Sequence, residues 1–281
     1  MTDISQEYFT LADGHRLPKE GFGVYKLEDQ AAMDTAIASA YQTGYRLFDT
    51  AQLYQNEDLL GNALKKLGVA RDQYFVTTKV AEANQGYQAA IASVKESLQK
   101  LQLDYVDLLL VHWPVYAHFF ETWRAFEDLK KMGLTKSIGV SNFGIAHLEL
   151  LNTQASERPV LDQVERHPGL NQLALLKYAQ DHGLQLQAWS PLARGKFMET
   201  PALKEIAAAH NKSVAQVILR WHLQQGVAII PKSAHPERIA ANAALFDFEL
   251  TAAEMDKING LNQFARDGRE PELVFENGYQ Y

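Results

Sequence analysis

Eight short apolar runs, separated by helical patterns of varying strength, constrain this chain more than any other feature. The clearest are YFVTTK (74–79), VDLLLVH (106–112), SIGVS (137–141), LQLQAWS (184–190) and VAIIPK (227–232). YRLFD (45–49) and PVLDQVE (159–165) fit less cleanly, and GFGV (21–24) is the weakest. Continuous rather than alternating apolar character suits strands covered on both faces. Between the runs, apolar residues recur at helical spacing: Leu60, Ala63, Leu64 and Leu67, then Ile91, Val94, Leu98 and Leu101, and later Val214, Val217, Ile218 and Trp221. Gly44, Gly68, Gly133 and Gly183 follow such stretches, where a helix-terminating glycine is expected. Alternating strand and helix predicts a parallel sheet, and eight units in about 250 residues suit an α/β fold of the (β/α)8 TIM-barrel type. A doubly wound sheet would carry a Gly-rich turn after its first strand, and GFGVYK lacks the third glycine of that fingerprint.

One barrel domain is expected to span 1–281, with no linker or low-complexity break. YFTLADGHRLP (8–18) reads as a hairpin turning at Asp13-Gly14, placed to plug the bottom of the barrel. The polar tail from Asn262, carrying Phe264, Phe275, Tyr279 and Tyr281, is expected over the active face. A formal charge of −7 argues against a nucleic-acid partner, and no stretch is long, basic or apolar enough to suggest a membrane. The start, MTDISQEYFTLADG, has neither a cationic region nor an apolar signal core. With no cysteine anywhere, thiolate and disulfide chemistry are excluded, and a cytoplasmic location is expected.

Active sites of such barrels form where strands end. The runs here end in Asp49, Lys79, His112, Ser141-Asn142, Trp189-Ser190 and Lys232-Ser233, with Gln163 and Glu165 on the sixth and Tyr54 five residues beyond Asp49. Singly, each has an ordinary reading as a turn, cap or solvated residue. Together, Asp, Tyr, Lys and His at three successive mouths form a proton-transfer set. A free phenol has a pKa of about 10, too high for efficient acid–base work at neutral pH. A nearby ammonium lowers it, and an aspartate keeps that ammonium charged. Histidine can donate to and polarise a carbonyl. Carbonyl reduction fits, with Tyr54 as proton donor and hydride from a nicotinamide cofactor.

The motifs LFDTAQLYQNEDLLG, VTTKV, VDLLLVHWP, SIGVSNF, DQVERHP, LQAWSPLARG and IIPKS, in this order, resemble the aldo-keto reductase family from about residue 8 to 262. The nearest subgroup resembles bacterial reductases similar to 2,5-diketogluconate reductase. The resemblance implies a catalytic tetrad of Asp49, Tyr54, Lys79 and His112. It implies that Ser141, Asn142 and Gln163 hold the nicotinamide carboxamide, that Trp189 stacks on the ring, and that Gly23, Val24, Ser190 and Leu192 line the cofactor. Lys232, Ser233 and Arg238 match contacts to the 2′-phosphate, favouring NADPH/NADP over NAD, since paired cations suit a dianion. Asn242 matches an adenine contact, and Tyr25 and Trp113 match the pocket for a small carbonyl substrate. A monomer is the implied state.

Several residues depart from the family pattern: Ala241 for an adenine-side acid, Asp162 for Asn, Arg166 for a rim aromatic, and KVAEANQGY without the usual tryptophan. The alternatives are a cofactor-binding regulatory barrel, a metal-dependent hydrolase and a Schiff-base lyase. The histidines show no His-x-His or HExxH spacing, so no metal site is expected. Asp49 would keep Lys79 charged, against the lyase.

Overall fold

The computed structural model describes residues 4–274. A hairpin, β1 (Tyr8–Thr10) and β2 (Arg16–Pro18), precedes eight parallel strands: β3 (Gly21–Gly23), β4 (Leu47–Asp49), β5 (Phe75–Val80), β6 (Val106–Val111), β7 (Thr135–Ser141), β8 (Leu161–Glu165), β9 (Gln185–Trp189) and β10 (Ala228–Ile229). They pair in chain order. The circle closes where Ile229 N–H donates to the Lys19 carbonyl at 3.0 Å and Gly23 N–H to the Pro231 carbonyl at 3.2 Å. The expected barrel and hairpin are both present. The last strand is shorter than its apolar run because Pro231 has no N–H to continue the ladder.

Helices α1 (Gln30–Thr43), α2 (Glu57–Leu67), α3 (Tyr87–Leu101), α4 (Phe119–Lys131), α5 (Ile145–Asn152), α6 (Leu173–His182), α7 (Pro201–Ala209), α8 (Val214–Gln224), α9 (Pro236–Ala243) and α10 (Ala252–Asn259) complete the described fold. The four glycines expected after helices all have positive φ. The periodicity did not single out α7 and α10, and α10 buries only Ile258, too little to mark an apolar stripe. Among the described residues no helix is long and apolar enough to cross a membrane.

The hairpin sits where expected. Phe9, Leu11 and Leu17 pack on Leu47, Phe75 and Leu108, residues from the N-terminal half of their strands. Asp13 accepts from Ser137 Oγ at 2.8 Å, tying the hairpin to β7. With the floor sealed, the opposite mouth is the open end.

Two departures from the family pattern lie away from that mouth. Arg166 was expected to alter the rim but is fully buried. Its guanidinium stacks 4.2 Å from the centroid of Trp221 and donates to the Asn171 carbonyl and the Gln225 amide, with Nη1 unpaired. Burial lowers its pKa to about 9. Asp162 points away from the barrel lumen; among the described residues its side chain has one hydrogen bond, a long one, 3.4 Å from Phe143 N–H, and Oδ2 has no partner. Burial pushes its carboxyl well above the usual range, against the small opposing effect of that bond. The folded state therefore holds a proton that the unfolded chain releases above pH of about 4. Its stabilising contribution is full below that pH and is lost as pH rises toward the folded-state pKa. Asp162→Asn is expected to gain about 1 kcal/mol or more at pH 7–8, a melting shift of about 2 °C or more, and little at pH 4. Thermal unfolding across pH checks this.

Candidate active site

Register brings the strand ends together. Asp49 ends β4 opposite Thr77 of β5, and Lys79 lies two residues further along, on the same face. Both are buried. Lys79 Nζ meets Asp49 Oδ1 at 2.5 Å and donates to the Thr50 carbonyl at 2.9 Å. It lies 3.3 Å from the Tyr54 hydroxyl and 4.9 Å from that ring's centroid. His112 follows β6, and its ring sits edge-on to Tyr54 with centroids 5.8 Å apart.

The loop that carries Tyr54 is fixed by residues to which the sequence reading gave no role. After β4 the chain makes a single 3-10 turn, Gln52–Tyr54, and leaves it through left-handed Gln55. Buried Asn56 then donates to the carbonyls of Val24 and Leu27 at 2.9 and 3.0 Å and accepts from Thr50 Oγ1 at 2.9 Å. Gln52 Oε1 accepts from Ala81 N–H at 2.9 Å. Glu57 accepts from Thr78 Oγ1 at 2.6 Å, beside Lys79. The spacing Asp-Thr-Ala-x-x-Tyr-x-Asn-Glu is the signal that could have assigned these roles, since Asp49, Tyr54 and Glu57 reach β5 while Asn56 spans the loop after β3.

Burial opposes the charge on Lys79, but Asp49 and Tyr54 outweigh it and raise its pKa, so it stays an ammonium. Burial raises the Tyr54 pKa, while Lys79 pulls it down and Asp49 pushes it up. The sequence expectation that Lys79 lowers this pKa therefore holds for its contribution, not for the net direction. At neutral pH the phenol is protonated, the form an acid needs. Burial, Lys79 and Arg269 together hold His112 well below its usual pKa, so its ring is neutral and donates without being a strong acid.

The remaining predicted residues surround this core. Ser141 Oγ donates to the Gln163 carbonyl at 2.7 Å. The Asn142 amide donates to the His112 carbonyl at 2.9 Å and accepts from Trp189 Nε1 at 2.8 Å. Asn142 takes a left-handed conformation to do so, with φ 63°. The Gln163 amide donates to Asp49 Oδ2 and Gln187 Oε1 at 2.8 and 2.9 Å. Gly23 and Val24 stand beside them, and a Cβ on Gly23 would lie 3.3 Å from the Ile230 carbonyl oxygen. Ser190 is left-handed and Leu192 half-buried at the start of a loop where Ala193 and Arg194 are also left-handed.

Across the mouth, Lys232 and Arg238 are exposed and their side chains bond to no described residue. Partial desolvation of its ammonium, together with Lys26, lowers the pKa of Lys232. Ser233 accepts from His235 N–H at 3.0 Å, so it also serves as the turn residue before α9. Asn242 is buried on α9, and Ala241 is exposed there. Tyr25 is 49% exposed, so ordinary core packing does not describe it; its ring leans on Tyr54 at 4.9 Å. Trp113 is buried with Val115, Val274 and Trp189.

The tail expectation is met through residues 266–274; Phe264 is exposed, and Phe275, Tyr279 and Tyr281 lie outside the described residues. Buried Glu165 accepts from the N–H groups of Asp267 and Gly268 at 2.6 and 2.9 Å. A Cβ on Gly268 would come 2.5 Å from Trp189, so only glycine lets the segment lie on that ring. Glu165, His167 and Asp267 bring three ligand-type atoms within 4.8 Å of one another. Their chemistry does not suit a cation. Glu165 is already occupied by two N–H donors and His167, while Lys196 pairs with Asp267 and Arg266 stands 3.7 Å from Glu165.

A (β/α)8 barrel carrying a buried ammonium between a carboxylate and a phenol, beside a neutral imidazole, is the scaffold of a proton-transfer enzyme. The chain belongs to the aldo/keto reductase family, which it matches over residues 21–263. It is 48% identical over 266 residues to the glyoxal reductase of Bacillus subtilis (strain 168), covering 94% of this chain and 96% of that one. The structure of an aldo/keto reductase from Brucella melitensis superposes with a TM-score of 0.87 at 45% identity, covering 91% and 99% of the two chains. That of the Bombyx mori aldo-keto reductase in complex with NADP gives a TM-score of 0.87 at 33% identity, covering 92% and 94%.

Proposed function

We propose that this chain is an NADPH-dependent reductase of small aldehydes and ketones, with dicarbonyls of the glyoxal type among its substrates. The observation that carries the reading is Lys79 Nζ at 2.5 Å from Asp49 and 3.3 Å from the Tyr54 hydroxyl, all at the mouth of the barrel. The glyoxal reductase relative supports the substrate size, and the relative bound to NADP supports the cofactor.

The residues present suit that cofactor. Trp189 offers a ring face, a Cβ on Gly23 would crowd the Ile230 carbonyl beside Lys232, and Lys232 and Arg238 are cations whose side chains bond to no described residue. Ser141, Asn142 and Gln163 would receive the carboxamide, and Ser190 and Leu192 the pyrophosphate. Lys232, Ser233 and Arg238 would receive the 2′-phosphate, and Asn242 the adenine. When bound, the dihydronicotinamide supplies the hydride that no side chain can. Tyr25 and Trp113 bound the substrate. His112 Nε2 donates to its carbonyl oxygen, and Tyr54 delivers the proton as the alkoxide forms. Lys79 stabilises the phenolate left behind, and Asp49 holds Lys79 in place.

Monitoring NADPH oxidation with glyoxal, methylglyoxal and a neutral aldehyde tests this, and no turnover of any of them would reject it. Arg238→Ala is expected to raise the apparent KM for NADPH about tenfold or more, through the loss of a charge-assisted contact. Its effect on NADH should stay within about twofold; an equal loss for both would refute phosphate recognition.

A further inference from the structure

Arg269, in the segment that crosses the mouth, was given no role by the sequence. Its guanidinium lies over the Trp113 ring, 4.4 Å from the centroid. One amino group, Nη2, meets Glu82 Oε1 at 2.6 Å. Nε and Nη1 make no bond to any described residue, and the side chain is 26% exposed. Glu82 is 5% exposed, and its Oε2 bonds to no described residue. Glu82 follows Ala81, in the stretch where the family's usual tryptophan is absent. A small residue and an acid there leave the space over Trp113 to an arginine. Lys79 is fully buried and committed to Asp49, and Lys232 and Arg238 stand across the mouth, so Arg269 is the cation a ligand over Trp113 would meet.

We propose that Arg269 is a specificity-determining residue that selects aldehydes and ketones carrying a carboxylate. This rests on the reductase reading above. Three observations support it together. The guanidinium is adjacent to the pocket wall made by Trp113. The Trp113 ring it covers lies beside His112, the residue assigned to the substrate carbonyl, with centroids 6.4 Å apart. Nη2 spends one N–H on Glu82; its second N–H, with Nε–H or an Nη1–H, makes the planar fork that a carboxylate accepts. Glu82 and the Trp113 face hold the side chain in one place, so little rotamer freedom remains to be lost when an anion binds. The Glu82 charge also sets the valence. Glu82 already balances the guanidinium, so a carboxylate adds one negative charge in excess, and a phosphate dianion would add two beside Glu82. If Arg269 only latched the segment to the mouth, as Glu165 does through backbone groups, its loss would affect charged and neutral substrates alike.

The experiment compares succinic semialdehyde with methyl 4-oxobutanoate, which share a carbon skeleton and differ in charge, using the full chain and NADPH. Wild type is expected to favour the acid in kcat/KM. Arg269→Gln should lower that acid-to-ester ratio about tenfold or more, mainly through KM, and leave the ester within about twofold. Arg269→Lys should retain part of the preference, and added salt should raise KM for the acid alone. Glu82→Gln should keep or increase the preference. Equal losses for acid and ester in both Arg269 variants, or an unchanged ratio, would overturn the proposal and assign Arg269 to the latch. Turnover of neither compound by wild type would overturn the reductase reading itself.

Discussion

Tyr54→Phe is expected to lower the rate of carbonyl reduction about 10²- to 10⁴-fold, the range for removing one positioned general acid. NADPH affinity should stay within about twofold. The substitution removes one oxygen, which contacts Lys79 at 3.3 Å and no other described side chain. Asp49, Gln163 and the Asn56 anchors keep their partners, so the loop stays in place. The loss should fall on kcat with KM little changed. His112 is no substitute: it is held neutral, and a neutral imidazole N–H is a far weaker acid than a phenol polarised by an ammonium. In wild type the phenol pKa is raised and that of His112 depressed. Reduction should then be flat through neutral pH and fall only on the alkaline side, where the phenol loses its proton. Single-turnover rates and cofactor titration check both parts. A mutant as fast as wild type would remove Tyr54 from the chemistry.

Lys79→Met is expected to damage both activity and stability. Removing one partner of a buried ion pair leaves the other charge without compensation, at a cost of about 3–5 kcal/mol. Asp49 is 1% exposed, and only the Gln163 amide at 2.8 Å would remain to it. In a chain of this size that corresponds to a melting shift on the order of 6–10 °C. Reduction should fall at least about 100-fold, since the phenolate loses its ammonium. The double change Lys79→Met, Asp49→Leu separates the effects. It removes the stranded carboxylate and should recover most of the stability, while reduction stays as slow as in the single variant. Recovery of activity along with stability would mean that Lys79 is structural.

The mouth of the barrel was legible because strand ends carry its chemistry. Asp49, Lys79 and His112 each close an apolar run, and polar residues that end buried strands stand out against their surroundings. Tyr54 was legible by its distance from Asp49. The supports were not. Asn56 and Glu57 follow Tyr54 in the motif, but only the fold shows that one amide spans two carbonyls of the preceding loop and that Glu57 reaches Thr78. Arg166 was misread as a rim residue. It follows Glu165 at the end of β8, where the chain turns away from the lumen, and Trp221 of α8 receives its guanidinium.

Local sequence, then, determined the strands, most helices and the four polar groups that meet at the mouth, because periodicity and strand-end polarity are properties of a few neighbouring residues. Tertiary structure decided the balance of charge and the ceiling of the pocket. Burial, not Lys79, sets the net direction for Tyr54. Residues 266–269 meet Glu165, Trp189, Glu82 and Trp113 across about 80 to 190 positions of chain. Desolvation and long-range contact depend on what the whole fold places around a group, and no short stretch of sequence contains that information.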